Sequence, residues 1–198
     1  MTRRTIFVTL AVVAVLIGGF YYLRSLAWHV FHEIQGGEES VHTRLNQEAL
    51  KPSSGVKQVI TLYFPADDES GLVTETREMF WAATDPDRVR QIVLALVEGP
   101  AKTHNRPLPP STDIRAVFLT PDGTVYLDFS NETLKGFAPG IQSETLTVYS
   151  IVNSLAANIP AVKSVKILLQ GREAETLDGH VDLTESFVPD TSLGGTAN

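Results

Sequence analysis

From Val56 onward, hydrophobic and polar positions alternate in short runs. In VKQVITLYF, Ile60, Leu62 and Phe64 fall on one side and Val59, Thr61 and Tyr63 on the other. That period of two predicts a strand with one face on a core. The cluster PADDESG, Pro65 to Gly71, predicts a turn. Alternation resumes in LVTETREMFW, with Val73, Glu75, Arg77 and Met79 opposite Leu72, Thr74, Thr76 and Phe80. The two segments read as an antiparallel hairpin. From Thr84 to Pro100 the period lengthens. Val89, Ile92, Val93, Leu96 and Val97 follow the i, i+3, i+4 spacing of a helix lying on a core. Asp85 is the expected cap, Pro86 suits the first helical position, and Gly99 and Pro100 end the run.

A Pro-rich connection, Ala101 to Thr112, leads to IRAVFLTPDGTVYLDF. Pro121-Asp122-Gly123 predicts the turn of a second hairpin. SNETLKGFAPG predicts a loop. Ile141, Thr145, Val148, Val152, Leu155 and Ile159 then recur at spacings of four and three, predicting a helix from about Gln142 to Asn158 that Pro160 ends. Val165, Ile167 and Leu169 alternate in a last strand. The order β-β-α-β-β-α-β predicts an α+β domain: a small mixed or antiparallel sheet with both helices on one face.

Ile6 to Leu23 is an uncharged stretch of quite different pattern. At 1.5 Å per residue it reaches about 27 Å, close to the ~30 Å hydrocarbon core. Arg3 and Arg4 precede it and orient its N-terminus to the cytoplasm. Tyr21, Tyr22 and Trp28 suit the far interface. Ser25-Leu26-Ala27 has the form of a signal cleavage site, but the apolar run exceeds a usual signal core, and Arg24 stands beside the site. The expected organisation is therefore a single transmembrane helix within residues 1–28, a polar linker over 29–55, an extracytoplasmic domain over 56–190 and a flexible tail over 191–198. The bilayer is the expected partner of Ile6–Leu23.

Charge narrows the partners. The net charge is −7, and between Val56 and Asp190 there are 11 Lys and Arg against 19 Asp and Glu. Such a surface repels a phosphate backbone, so nucleic acid is not an expected partner. No cysteine is present, which excludes disulfides, thiolate metal sites and a Cys nucleophile.

Candidate chemistry is sparse. Ser143 and Glu144 open the second helix and are expected to serve its free N–H groups. No G-x-S-x-G surrounds Ser143. His180 and Asp182 share a strand face if GHVD is extended, but two ligands do not make a zinc site. The expected arrangement is a turn, with His180 bonded to the backbone or to Asp182. In HVFHE, His29 and His32 stand three apart beside Glu33 and are expected to be juxtamembrane polar residues; His104 lies in the Pro-rich loop, and Glu173 and Glu175 are expected to be solvated. No catalytic, cofactor or metal residues are assigned, so the expectation is a protein that is not an enzyme.

Five motifs in order carry a family resemblance: LYFP, IVLALVEGP, TPDGTVYLDFS, SETLTVYSIVNSLAANIPAVKSVKILLQG and ETLDGHVDL. Over roughly Val56 to Pro189 the chain resembles the GerMN domain of sporulation and spore-germination proteins. The resemblance implies an extracytoplasmic, membrane-tethered α+β module with no catalytic residues to transfer. Members of that family often carry two such domains and a lipid anchor on Cys; this sequence has one domain and no Cys. The expected function is an envelope module acting through protein contacts or self-association in sporulation, germination or envelope maintenance. Thr74, Thr76, Arg77 and Glu78 are candidate contact residues. The alternative is a module that binds or hydrolyses peptidoglycan, with Glu144, His180 and Asp182 converging in one pocket.

Overall fold

The computed structural model describes residues 19–24, 44, 46–47, 56–130, 140–177 and 179–197. Two compact units are distinguished, Met1–Val41 and His42–Asn198. In the first, residues 19–24 are helical. The rest of the expected transmembrane span lies outside the described residues, as do 131–139 of the expected loop, His29, His32 and Glu33. Among the described residues no helix is long and apolar enough to cross a membrane. Among the described residues, the second unit holds all the strands and both of the expected domain helices.

Its elements are β1 (Lys57–Pro65), β2 (Leu72–Phe80), α1 (Asp85–Glu98), β3 (Ile114–Leu119), β4 (Thr124–Phe129), α2 (Ile141–Asn158), β5 (Ser164–Leu169), β6 (Arg172–Glu173), a 3-10 helix (Thr191–Leu193) and β7 (Gly194–Ala197). Both expected hairpins form, with antiparallel pairing of β1 with β2 and β3 with β4. Ile60, Leu62 and Phe64 are buried as their alternation predicts. At the second hairpin Gly123 has φ +96° and a Cβ there would meet the Ala161 carbonyl at 2.6 Å, so the turn needs glycine.

The single sheet expected from the element order is instead two. One has the order β1-β2-β7 and the other β3-β4-β5-β6, with β4 and β5 parallel around the α2 crossover. The reason lies at the strand edges, where helix side chains stand in for a neighbouring strand. On β1, Thr61 N–H donates to Asn158 Oδ1 at 2.9 Å and Thr61 O accepts from Asn158 Nδ2 at 2.6 Å. Tyr63 N–H donates to Ser154 Oγ at 2.9 Å. On β3, Arg90 donates to the carbonyls of Ile114 and Arg115 at 3.2 and 3.4 Å. Edges closed this way cannot merge into one sheet.

The helices join the sheets rather than share one face. Helix α2 lies along β1 and reaches β5; α1 lies on β3 and reaches β1 and α2. Ile141 is exposed, so the expected α2 stripe begins too early. The helix buries side chains nearly all round, including Leu146, Ile151, Ser150 and Asn153. The cap of α1 is Thr84, whose hydroxyl accepts from Asp87 N–H at 3.3 Å; Asp85 pairs instead with Arg88 at 2.6 Å.

Residues 191–197, expected as a flexible end, form the 3-10 helix and β7, which pairs with β2 in parallel at Leu72 and Thr74. Asn153 fixes the approach by accepting from Asp190 N–H at 3.0 Å and donating to Asp190 O at 2.8 Å. Asn46, in the expected linker, donates to Asp113 at 3.0 Å and accepts from Arg90 at 2.6 Å.

Asn158→Ala tests the closed edge. It strips partners from both Thr61 backbone groups, with an expected loss of about 1–2 kcal/mol in chemical denaturation. Sedimentation is expected to show concentration-dependent association through the opened edge.

Candidate functional site

Strand β2 positions the first candidate. Trp81 N–H donates to Val56 O at 3.1 Å, continuing the register that sets Phe80 opposite Lys57. Antiparallel alternation then turns the backbone groups of odd-numbered β2 residues toward β1 and those of Leu72, Thr74, Thr76, Glu78 and Phe80 to the outer edge. Strand β7 covers Leu72 and Thr74. Phe80 O accepts from Gln91 Nε2 at 3.1 Å. Between these closures, Thr76 and Glu78 line an open groove of about 550 Å³ bounded opposite by Glu98, Gly99, Pro100, Ala101 and Lys102.

Beneath the groove, the buried Glu75 carboxylate accepts from Arg77 Nε at 2.8 Å, Ala101 N–H at 2.9 Å and Lys102 N–H at 3.4 Å. Burial pushes its pKa up, but the Arg77 hydrogen bond, the Ala101 amide, the Arg77 charge and the Lys102 amide outweigh that and hold it below the ordinary carboxylate value. Arg77 also donates to Ala95 O at 3.4 Å, to Gly99 O, and to Glu98 at 3.5 Å. Arg106 donates to Val97 O at 2.7 Å. These two guanidinium groups cap the C-terminal carbonyls of α1, which has no basic residue in its own last turn. Arg77 lies over the Phe64 ring, 5.5 Å from its centroid. These bonds tie β2 to the C-terminal end of α1.

The second candidate set is brought together only in part. Glu144 is buried in the first turn of α2, but it does not cap the helix, whose N-cap is Gly140 with no side-chain bond. Its carboxylate turns to the segment after β6, accepting from Leu177 N–H at 2.8 Å and His180 N–H at 2.9 Å. His180 Nδ1 lies 3.3 Å from Glu144 Oε2. The expected partner of His180 was the backbone or Asp182; its side chain meets Glu144 instead. Asp182 is exposed and closes its own turn, accepting from Thr184 Oγ1 at 2.6 Å and N–H at 2.8 Å; those bonds, side chain first, lower its pKa. The three do not converge on a common space.

The remaining candidates are structural or solvated. Glu173 is exposed and pairs with the buried Lys166 at 3.2 Å, whose ammonium also donates to Leu183 O at 3.1 Å and Thr184 O. Among the described residues no group of three or more His, Cys, Asp or Glu could hold a metal ion. Sequence reasoning overlooked Glu75, Ser154, Asn158 and Arg90. Ser154 and Asn158 carried one signal: polar residues four apart, on the same face of a helix.

The Germane family, described as sporulation and spore germination, matches residues 61–175. A search of curated proteins finds no match. Among solved structures, the first GerMN domain of the sporulation protein GerM from Bacillus subtilis is 20% identical with a TM-score of 0.54, over 67% of this chain and 97% of that one. The tandem GerMN domains of the same protein give the same identity and TM-score, over 67% of this chain and 46% of theirs. At that identity the likeness establishes the fold.

Proposed function

This chain belongs to the Germane family of sporulation and spore-germination domains, and we propose that it acts as a non-enzymatic module of the cell envelope working through protein contacts. One observation carries the reading: the buried carboxylates of the domain are taken up by its own backbone. Glu75 holds Ala101 and Lys102, and Glu144 holds Leu177 and His180. Groups bonded in this way stiffen a surface and are not poised for proton transfer. The uncharged stretch Ile6–Leu23 behind Arg3 and Arg4 supports an anchor in the cytoplasmic membrane, with the domain on its outer side.

Photo-crosslinking in intact cells tests the proposal. A crosslinker at Thr76 or Glu78 is expected to trap an envelope protein or a second copy. A protein that stays monomeric at every surface position overturns it. The peptidoglycan reading is tested alongside with purified sacculi, where neither retention nor released muropeptides are expected.

A further inference from the structure

We propose that Arg90 and Asp113 form a clamp for a primary carboxamide, and that Asn46 fills it from the same chain, strapping the segment ahead of β1 onto the α1–β3 corner. Filling the clamp also holds in place the guanidinium that closes the β3 edge.

The three residues come from different parts of the chain. Arg90 and Asp113 lie within the segment that matches the family, residues 61–175, and Asn46 lies ahead of it. Asn46 is half-buried, whereas Arg44 and Gln47 on either side are exposed. Among the described residues before Val56, Asn46 makes the only hydrogen bonds to the rest of the domain. The strap is therefore held through one peg.

Both ends of the Asn46 amide are used. Its Oδ1 accepts from Arg90 Nη1 at 2.6 Å, and its Nδ2 donates to Asp113 Oδ1 at 3.0 Å. The reverse orientation sets an NH2 group against the guanidinium and a carbonyl against the carboxylate, so the flanking charges fix the amide one way round. They also select the chemical group. A carboxylate has no donor for Asp113, and an ammonium has no acceptor for Arg90. A primary carboxamide supplies one of each.

The clamp and the strand edge share one cation. Arg90 is 6% exposed. Burial lowers its pKa, and the charges of Asp87 and Asp113 oppose that fall. A guanidinium so placed needs its N–H groups taken up. The Ile114 and Arg115 carbonyls accept from it at 3.2 and 3.4 Å, both longer than the bond to Asn46. Emptying the clamp removes its short acceptor and frees the group to turn away from β3. Asn46 is thus a positioning residue for Arg90.

The chain has no cysteine, so Gln47→Cys and Ser186→Cys, both at exposed positions, can carry a clean pair of spin labels. Double electron–electron resonance on the labelled full chain in mild detergent is expected to give one narrow distance distribution. Asn46→Ala adds a broad component and raises the undocked-to-docked ratio roughly tenfold or more, because two bonds to charged groups are lost. Asn46→Asp also releases the strap, since it sets a second carboxylate against Asp113. Combining Asn46→Asp with Asp113→Asn exchanges donor and acceptor, and returns the ratio to within about twofold of wild type. Exchange of the Arg90 side-chain N–H groups, followed by NMR, rises with the undocked fraction, which a strap with no hold on Arg90 does not produce. A broad distribution in the parent chain, or one that Asn46→Ala leaves unchanged, overturns the strap. Asn46→Asp behaving as wild type, or failing to be rescued by Asp113→Asn, overturns the selection of a carboxamide. Arg90 exchange that ignores Asn46 overturns the positioning role. Should Asp113→Asn fail to fold, the two single changes at Asn46 decide.

Discussion

Arg77→Met is expected to lower the unfolding free energy by about 3 kcal/mol, measured by chemical denaturation at neutral pH. The substitution keeps the apolar stem over Phe64 but leaves the buried Glu75 carboxylate without its cation. It also uncaps Ala95 and Gly99 at the end of α1. Adding Glu75→Gln is expected to return much of the loss, because a neutral amide still accepts from Ala101 and no longer needs a counter-charge. Additive losses in the double variant contradict this account. Acid gives an independent check. The folded-state pKa of Glu75 is depressed, so its contribution is present above the unfolded value and is lost as pH falls through the folded one. The gap between wild type and Arg77→Met should therefore be full at neutral pH and narrow below about pH 4.

Glu144→Ala is expected to cost about 3 kcal/mol, from two amide donors that lose a charged acceptor. The damage is local in origin. This carboxylate ties Leu177 and His180 to the start of α2, and Leu177 is itself part of the core. Hydrogen exchange at these two amides should rise before the rest of the domain opens. Glu144→Gln keeps one good acceptor and should lie about midway between wild type and Glu144→Ala. An alanine variant with unchanged exchange at both amides sinks the assignment. A catalytic role for Glu144 predicts a different pattern, with stability little changed.

Periodicity found the strands and helices because each buries a regular face. Ile60, Leu62 and Phe64 alternate, and Val89, Ile92, Val93 and Leu96 follow helical spacing; all of them are in the core. The partition into two sheets was invisible to that reasoning. It depends on edges, and edges are closed by single polar side chains such as Asn158 and Arg90 that no period marks. Helix α2 misled for a related reason. A helix packed on several sides has no clean stripe, so Ile141 and Thr145 entered a stripe that buries neither.

The candidate site divides in the same way. Thr74, Thr76, Arg77 and Glu78 were singled out from their strand; the last three line the groove, whereas Thr74 pairs with β7. Glu98 to Lys102, the opposite wall, lies across a tertiary contact that spacing cannot anticipate. Glu144 and His180 read as a cap and a turn histidine, and only the returning chain after β6 shows that they meet. Asp182 failed to join them because Thr184, two residues on, offers it a nearer partner.

The parallel contact between β7 and Leu72 has a bearing on biogenesis. Sheet β1-β2-β7 joins the earliest strands of the domain to a segment that follows all its other strands and both domain helices in the chain. A contact across so great a sequence separation forms late. Through that interval the whole rim from Leu72 to Phe80 is an adhesive border, available to any stray extended chain in the compartment. The speed at which β7 docks, and any escort that shields this border until then, should thus govern the yield of folded protein more strongly than the final thermodynamic stability does.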